Sequence, residues 1–393
     1  MTATETAKKR ADAAIEAADA DLRAISLSIH SRPELNFEEH HAHGVLTKYL
    51  EGQGFDVTPG AFGMPTAFSA VAGSGSPRVA ILCEYDALPE IGHACGHNLI
   101  AISGIAAALG VKAGLEPGRG TVVVLGSPAE EGGGGKILLI ERGAFDGIDA
   151  AMMLHPSPSG SAWGNLIALQ QLQVDYYGRN AHAGSNPWTG VNALDAMVLA
   201  YGSISAMRQQ IRPTDRVHGV ITNGGVKPNI IPDHASAEFY IRSATVGQLE
   251  ELRRKVTGCF EGAATAAGCR LELQSVGEPY SEVITNDVLA EAYCENMERF
   301  EVRLPSRAES NGLRGASTDM GNVSHVVPSI HPMFAIPTEA ANHTPGFTVA
   351  AATREAHLAT LRAATGLAMT ALDVLTRPDV REAAKREFEM LAG

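Results

Sequence analysis

Glu84-Tyr85-Asp86-Ala87-Leu88-Pro89-Glu90-Ile91-Gly92-His93-Ala94-Cys95-Gly96-His97-Asn98-Leu99 places three acids, a thiol and two imidazoles between an apolar strand, Val79 to Cys83, and an apolar helical run starting at Leu99. A strand that runs into such a loop is what an open α/β sheet offers, and ligand sites form at strand ends in those sheets. Gly96 lets the backbone fold tightly enough for the Cys95 thiolate and the His97 imidazole to reach one metal ion. A lone Cys-x-His decides little, because free cysteine is usually a small buried hydrophobe. The reading therefore depends on what the rest of the chain supplies.

Working outward, the pattern alternates. Downstream come a buried helix, Leu99 to Ala113, and an almost wholly apolar strand, Thr121 to Leu125, of the parallel-sheet kind. A helix over Lys136 to Arg142 and a strand over Ala150 to Leu154, ending at His155, follow. Upstream, the spacing predicts one helix over Thr4 to His30, a second over Phe37 to Gly52, and strands at Phe55 to Thr58 and Thr66 to Ala72. His40, His41 and His43, with Glu38 and Glu39 before them, point in different directions on that second helix and read as a solvated face. Alternating strands and helices imply an α/β sheet with its site on one edge.

From Ala168 the order becomes strand (Ala168 to Tyr177), helix (Val191 to Gln210), strand (Arg216 to Thr222), strand (His234 to Arg242), helix (Thr245 to Ala267) and strand (Arg270 to Val276). This β-α-β-β-α-β order is ferredoxin-like and forms a compact unit. The expected organisation is a catalytic domain from residues 1–167 and 278–393, interrupted by an inserted domain at 168–277. After the insertion come a helix (Asn286 to Phe300), a strand (Ile330 to Ile336) and two carboxy-terminal helices.

The 393 residues suit two domains, and a net charge of −13 argues against nucleic acid and anionic membrane as partners. Met1 to Ile29 lacks the apolar core of a secretory signal, and the run Leu99 to Val111 is too short to span a bilayer. Five scattered cysteines do not make a disulfide framework. The expectation is a soluble cytoplasmic protein whose partner is a small molecule or another protein.

Three sheet-edge loops deliver ligand-type residues: Cys95 with His97, Glu130 with Glu131, and His155; Asn342-His343-Thr344-Pro345-Gly346 adds a fourth. Thiolate, imidazole and carboxylate suit zinc, while manganese and cobalt accept the latter two. More ligands than one ion needs suggest two ions. Glu130 and Glu131 sit between a buried strand and four glycines, so buried like charges must be offset by something positive. One of the two can bind metal while its neighbour takes a proton from water. A phosphate-loop reading fails because Glu130 occupies the first glycine position and Ile137 follows Lys136. A zinc-deaminase Pro-Cys-x-x-Cys and a His-Glu-x-x-His are both absent. In the inserted domain, the loop Gly178 to Pro187 carries His182, which with backbone amides could stabilise an oxyanion.

Together, Asp86-Ala87-Leu88-Pro89, Ala94-Cys95-Gly96-His97, Pro128 to Gly135, Met153-Leu154-His155-Pro156, Gly178 to Ala183, Gly225 to Pro232 and Asn342-His343-Thr344 resemble the di-metal aminoacylase and amidohydrolase family. The similarity is to the branch of p-aminobenzoyl-glutamate hydrolase and the hippurate-type and indole-acetyl-amino-acid amidohydrolases. The wider family has a histidine ligand two positions before the strand-end aspartate, where this chain has Glu84, so the comparison is with the Cys-Gly-His branch. The resemblance implies a metallopeptidase-like α/β/α catalytic domain with a ferredoxin-like lid that also forms a homodimer. It implies two divalent ions, zinc or manganese with cobalt possible, held by Cys95, His97, Glu131, His155 and His343. It makes Glu130 the general base and Asp86 an acid behind the ligands. His182, with Asn229, would reach the partner subunit's site, and Arg242 is a candidate for a substrate carboxylate. The implied reaction is hydrolysis of an N-acyl-amino-acid, aminobenzoyl-glutamate-like or dipeptide-like amide. A strict dipeptidase or carboxypeptidase, or a non-catalytic binder of amino-acid conjugates, are the alternatives.

Overall fold

A computed structural model describes residues 2–310, 312 and 315–392. The strands, in chain order, are β1 (Asp56–Pro59), β2 (Phe68–Ser74), β3 (Arg78–Glu84), β4 (Gly120–Ser127), β5 (Ala150–Met152), β6 (His155–Ser157), β7 (Ala168–Tyr177), β8 (Arg216–Asn223), β9 (His234–Ser243), β10 (Arg270–Ser275), β11 (Ser329–Ile330) and β12 (Met333–Ala335). They belong to two compact units. One takes the chain up to Asn165, Val283–Gly312 and everything from Thr318; the other takes Leu166–Glu282 and a short segment ending at Ser317, a return that the expected 168–277 did not include.

The first unit has a six-stranded sheet in the order β1-β2-β4-β3-β5-β11. β4, β3, β5 and β11 run parallel, and β2 is antiparallel to β4. Successive side chains of a strand face opposite ways, and here both faces are covered. Val79, Ile81 and Cys83 enter one core with Val122 and Val124, whereas Ala80 and Leu82 enter another with Val123 and Leu125. The first core is closed by helices Ala3–Ala17, His97–Gly114, Asp287–Glu298 and Arg354–Thr376; the second by residues of Gly135–Glu141 and Met320–Ser324. Two-sided burial is why these strands read as continuous apolar runs. Helix His97–Gly114 lies so close to β3 that a Cβ on Gly104 would sit 2.7 Å from the Leu82 carbonyl oxygen.

Some expected elements divide. The helix over Thr4 to His30 breaks at Ala18 into Ala3–Ala17 and Asp19–His30. The strand over Ile330 to Ile336 splits at His331-Pro332, where Pro332 has no N–H to give to a ladder. Ser329–Ile330 joins the main sheet, while Met333–Ala335 pairs with His155–Ser157 as a separate parallel ribbon. Three helices, not two, end the chain: Pro345–Ala351, Arg354–Thr376 and Pro378–Ala392. The run from Leu99 forms an 18-residue helix, and Arg354–Thr376 has 23 residues, so length alone would let either cross a bilayer. Both are mostly buried in the protein core.

The second unit is an antiparallel sheet in the order β10-β7-β9-β8 with helices Ala193–Met207 and Val246–Ala267 on one face. Chain order β-α-β-β-α-β with the first and third strands central is the ferredoxin-like arrangement.

One buried ion pair ties the amino terminus to the first unit. Lys8 Nζ lies 2.7 Å from Asp373 Oδ2 and 2.8 Å from Asn296 Oδ1, joining three helices. Removing one partner of a buried pair strands the other's charge. Lys8→Met is therefore expected to lower unfolding stability by about 3–5 kcal/mol, read as a shifted midpoint in chemical denaturation.

Candidate metal centre

The candidate residues converge where β3, β4 and β5 end at their carboxyl edge. Gly96 has φ +79°, a left-handed turn that starts the helix at His97 and leaves Cys95 just outside it. His97 Nδ1 is 3.1 Å from Asp86 Oδ1, and Asp86 Oδ2 accepts the Glu131 backbone N–H at 2.9 Å. Asp86 thus turns the imidazole so that Nε2 faces the other acids, while fixing the loop that carries Glu131. His155 Nδ1 is 2.8 Å from the Pro156 carbonyl, which accepts its proton and leaves Nε2 as the lone-pair nitrogen, 3.3 Å from Cys95 Sγ. His343 donates its backbone N–H to the Ala94 carbonyl at 2.9 Å, and its Nε2 is 3.5 Å from Glu131 Oε2. Glu131 Oε1 lies 3.7 Å from His97 Nε2. Glu130 Oε2 lies 3.9 Å from the same nitrogen.

These contacts give overlapping donor sets, Cys95 with His97 and His155, Cys95 with Glu131 and His343, and Glu84 with His97 and Glu130, each with its ligand atoms within 4.8 Å of one another. All five ligand candidates, with Glu130 and Asp86, are brought to one place. Four ligands about 2.0–2.3 Å from a tetrahedral ion stand about 3.3–3.8 Å apart, which is the spacing of the Cys95–His155, Glu131–His97 and Glu131–His343 contacts. His97 Nε2, Glu84 Oε1 and Glu131 Oε1 are buried and find no hydrogen-bond partner among the described residues. Such orphaned donor atoms fit divalent ions.

The electrostatics agree. Burial, with Glu84, Glu131 and Asp319 close by, pushes the Glu130 carboxyl well up. Burial also raises Glu131 to about 7 against the opposing pull of His97. Burial disfavours charge on His97, yet Glu84 and Asp86 outweigh it and raise the imidazole. His155 is lowered by burial to about 4, the neutral form that binds metal. The pocket carries more negative charge than its own cations balance.

Three supporting residues escape a reading of the sequence. Glu39, expected on a solvated face, is buried: its Oε1 accepts the N–H groups of Phe37 at 3.0 Å and Ala129 at 2.9 Å. Ala129 has φ +57°, so Glu39 holds the strained residue that precedes Glu130. Lys136 and Asp319, both fully buried, pair with each other at 2.7 Å. Chain separations of 90 and 183 residues hide both pairings from local pattern.

His182, Asn229 and Arg242 lie in the ferredoxin-like unit. Nδ1 of His182 accepts the N–H groups of Gly184 at 3.2 Å and Ser185 at 3.1 Å, which leaves the proton on Nε2. The Asn229 carbonyl accepts the Ala183 N–H at 3.0 Å, so the His182 and Asn229 loops are stitched together. Arg242 Nη1 donates to the Gly315 carbonyl and to Ser317 Oγ, both at 3.1 Å, so part of its donor set holds that segment.

Residues 159–266, which span most of this unit, match the peptidase dimerisation domain of M20 enzymes. The Xaa-Arg dipeptidase of Mus musculus is 49% identical over 401 residues, covering 98% of this chain and 93% of its own length. This chain belongs to the M20 peptidase family. As an M20 peptidase it is a metal-dependent hydrolase of amide bonds. Its M20 relatives include a p-aminobenzoyl-glutamate hydrolase of Escherichia coli, 36% identical over 66% of this chain and 60% of that protein. A dinuclear metal-binding M20 peptidase from Bacillus subtilis shares the fold with a TM-score of 0.70 at 20% identity, over 92% of this chain and 99% of its own.

Asp86→Ala is expected to weaken metal binding about 10–100-fold, measured by competition with a chromophoric chelator, because His97 loses the partner that orients it.

Proposed function

We propose that this M20 peptidase cleaves dipeptides whose carboxy-terminal residue is basic, releasing free arginine or a similar amino acid. The end-to-end likeness to the Xaa-Arg dipeptidases of mouse and human, at 49% and 47% identity, carries this reading. The net charge of −13 supports it, since an acidic protein steers a cationic substrate inward. A p-aminobenzoyl-glutamate-like amide is the second reading, favoured by the Escherichia coli relative.

Cys95, His97, Glu131, His155 and His343 would hold two divalent ions, zinc or manganese, which acidify water and polarise the scissile carbonyl when bound. Glu130 is the proton carrier: it takes the water's proton and delivers it to the leaving nitrogen. Its place beside the ligand set suits it to that exchange. The Nε2–H of His182, fixed in that tautomer by two backbone N–H groups, donates to the carbonyl oxygen as charge builds there. Arg242 is a candidate anchor for the substrate carboxylate.

We infer that the protein works as a homodimer joined through the ferredoxin-like unit, with His182 serving the partner subunit's site. β8 is an edge strand with exposed Val220 and Ile221, and helix Ala193–Met207 exposes Val198 and Leu199. Unpaired edge groups beside apolar side chains suit a second copy of the same surface.

After manganese or zinc loading, mass spectrometry of a panel of dipeptides, N-acyl amino acids and p-aminobenzoyl-glutamate should show fastest release from the Xaa-Arg dipeptides, and none with Glu130→Gln. Faster glutamate release from p-aminobenzoyl-glutamate would favour the second reading. His182→Ala should keep both ions and lose about 100–1,000-fold in turnover. Val220→Lys should give a monomer by light scattering, with turnover falling alongside; a fully active monomer would remove the cross-subunit role.

A further inference from the structure

Glu84, the last residue of β3, is completely buried, and its two oxygens do different things. Oε2 receives the Lys136 ammonium at 2.5 Å. The same ammonium is 2.7 Å from Asp319 Oδ1, and the Lys136 backbone N–H donates to Asp319 Oδ2 at 2.9 Å. Asp319 therefore grips Lys136 at two points, and Lys136 in turn fixes the rotation of the Glu84 carboxylate.

That rotation presents Oε1 to the donor cluster. Among the described residues Oε1 finds no hydrogen-bond partner, and it stands 3.4 Å from His97 Nε2, which finds none either. A buried carboxylate oxygen left without a donor is costly. One ammonium cannot neutralise two carboxylates, so Glu84 and Asp319 leave an unbalanced negative charge beside Glu130, whose Oε2 is 3.9 Å from the same His97 nitrogen. The spacing from Oε1 to Nε2 equals the edge of a coordination polyhedron, about 3.3–3.8 Å.

We propose that Glu84 is a further metal ligand, its Oε1 binding with His97 the ion on the side away from Cys95, and that Lys136 is the positioning residue that turns it there. This rests on the metal-dependent reading above and extends it to a residue outside the five-ligand set. It makes the two halves of the centre chemically unlike. Cys95 and His155 give one half soft and borderline donors, while Glu84 gives the other a hard oxygen, which suits manganese better than zinc.

The test uses full-length protein stripped by chelator and titrated with manganese, with bound metal counted by elemental mass spectrometry and pairing read by electron paramagnetic resonance. Wild type is expected to bind two ions per chain with an exchange-coupled spectrum. Glu84→Gln keeps an acceptor for Lys136 and is expected to bind one ion, with the six-line spectrum of an isolated ion. Lys136→Met should weaken the second ion at least about tenfold in wild type, yet add nothing in the Glu84→Gln background if it acts through Glu84.

Two coupled ions in Glu84→Gln at wild-type affinity would overturn the inference and leave Glu84 as a partner of Lys136 only. Additive loss in the double variant would overturn the positioning role. No metal uptake by folded wild type would overturn the metal-dependent reading itself, a different failure. Should Glu84→Gln melt at low temperature, Glu84→Asp keeps the charge while withdrawing the oxygen by one methylene. The same loss of the second ion is expected, and its retention would count against the proposal.

Discussion

An excess of negative charge, held at one end of a buried sheet, is the constraint on which the centre depends. Glu84, Asp86 and Glu130 are at most 7% exposed, and Glu131 stands beside them. Buried carboxylates persist only when paired, protonated or bound to metal. The protein supplies part of the balance itself, through Lys136 and through the imidazole of His97. The rest is a deficit that bound metal would offset, and the raised carboxyls of Glu130 and Glu131 express the same deficit. Asp86 and Asp319 belong to this balance, because each uses both oxygens: Asp86 holds the His97 imidazole and the Glu131 backbone, and Asp319 holds the Lys136 ammonium and its backbone.

Crowding charge in this way requires a backbone that cannot relax. β3 and β4 are neighbouring parallel strands, which end together and deliver their acids side by side. The turns beyond them are held in uncommon conformations: Gly96 at φ +79°, Ala129 at +57° and His343 at +64°. Each non-glycine case is tied down, Ala129 by the Glu39 carboxylate and His343 by the Ala94 carbonyl. Strain of this sort survives where the surroundings over-determine it, and it spares the site reorganisation during reaction. The ferredoxin-like unit follows the same rule on a smaller scale, setting the tautomer of His182 with two backbone N–H groups.

Much of this was legible in the sequence. Apolar runs such as Val79 to Cys83 and Thr121 to Leu125 announce strands buried on both faces, and the β-α-β-β-α-β order announces the inserted unit. Cys95, Glu130 and Glu131 are identifiable because they sit in loops beyond apolar strands, His97 and His155 because they open the elements that follow such strands, and His343 because it lies in a turn just before a helix. Less legible were the divisions at Ala18 and Pro332, where a local break interrupts an otherwise continuous pattern.

What the sequence by itself determined was the set of chemical groups and the edge of the sheet on which they fall, because strand ends and turn residues are local properties. What only the tertiary structure decided was who faces whom. Glu39 looked like a solvated helix acid and is instead the clamp on Ala129; Lys136 looked like the end of a glycine loop and is instead locked between Glu84 and Asp319. Those contacts join residues far apart in the chain, and a buried charge finds its partner only when packing has removed water from both.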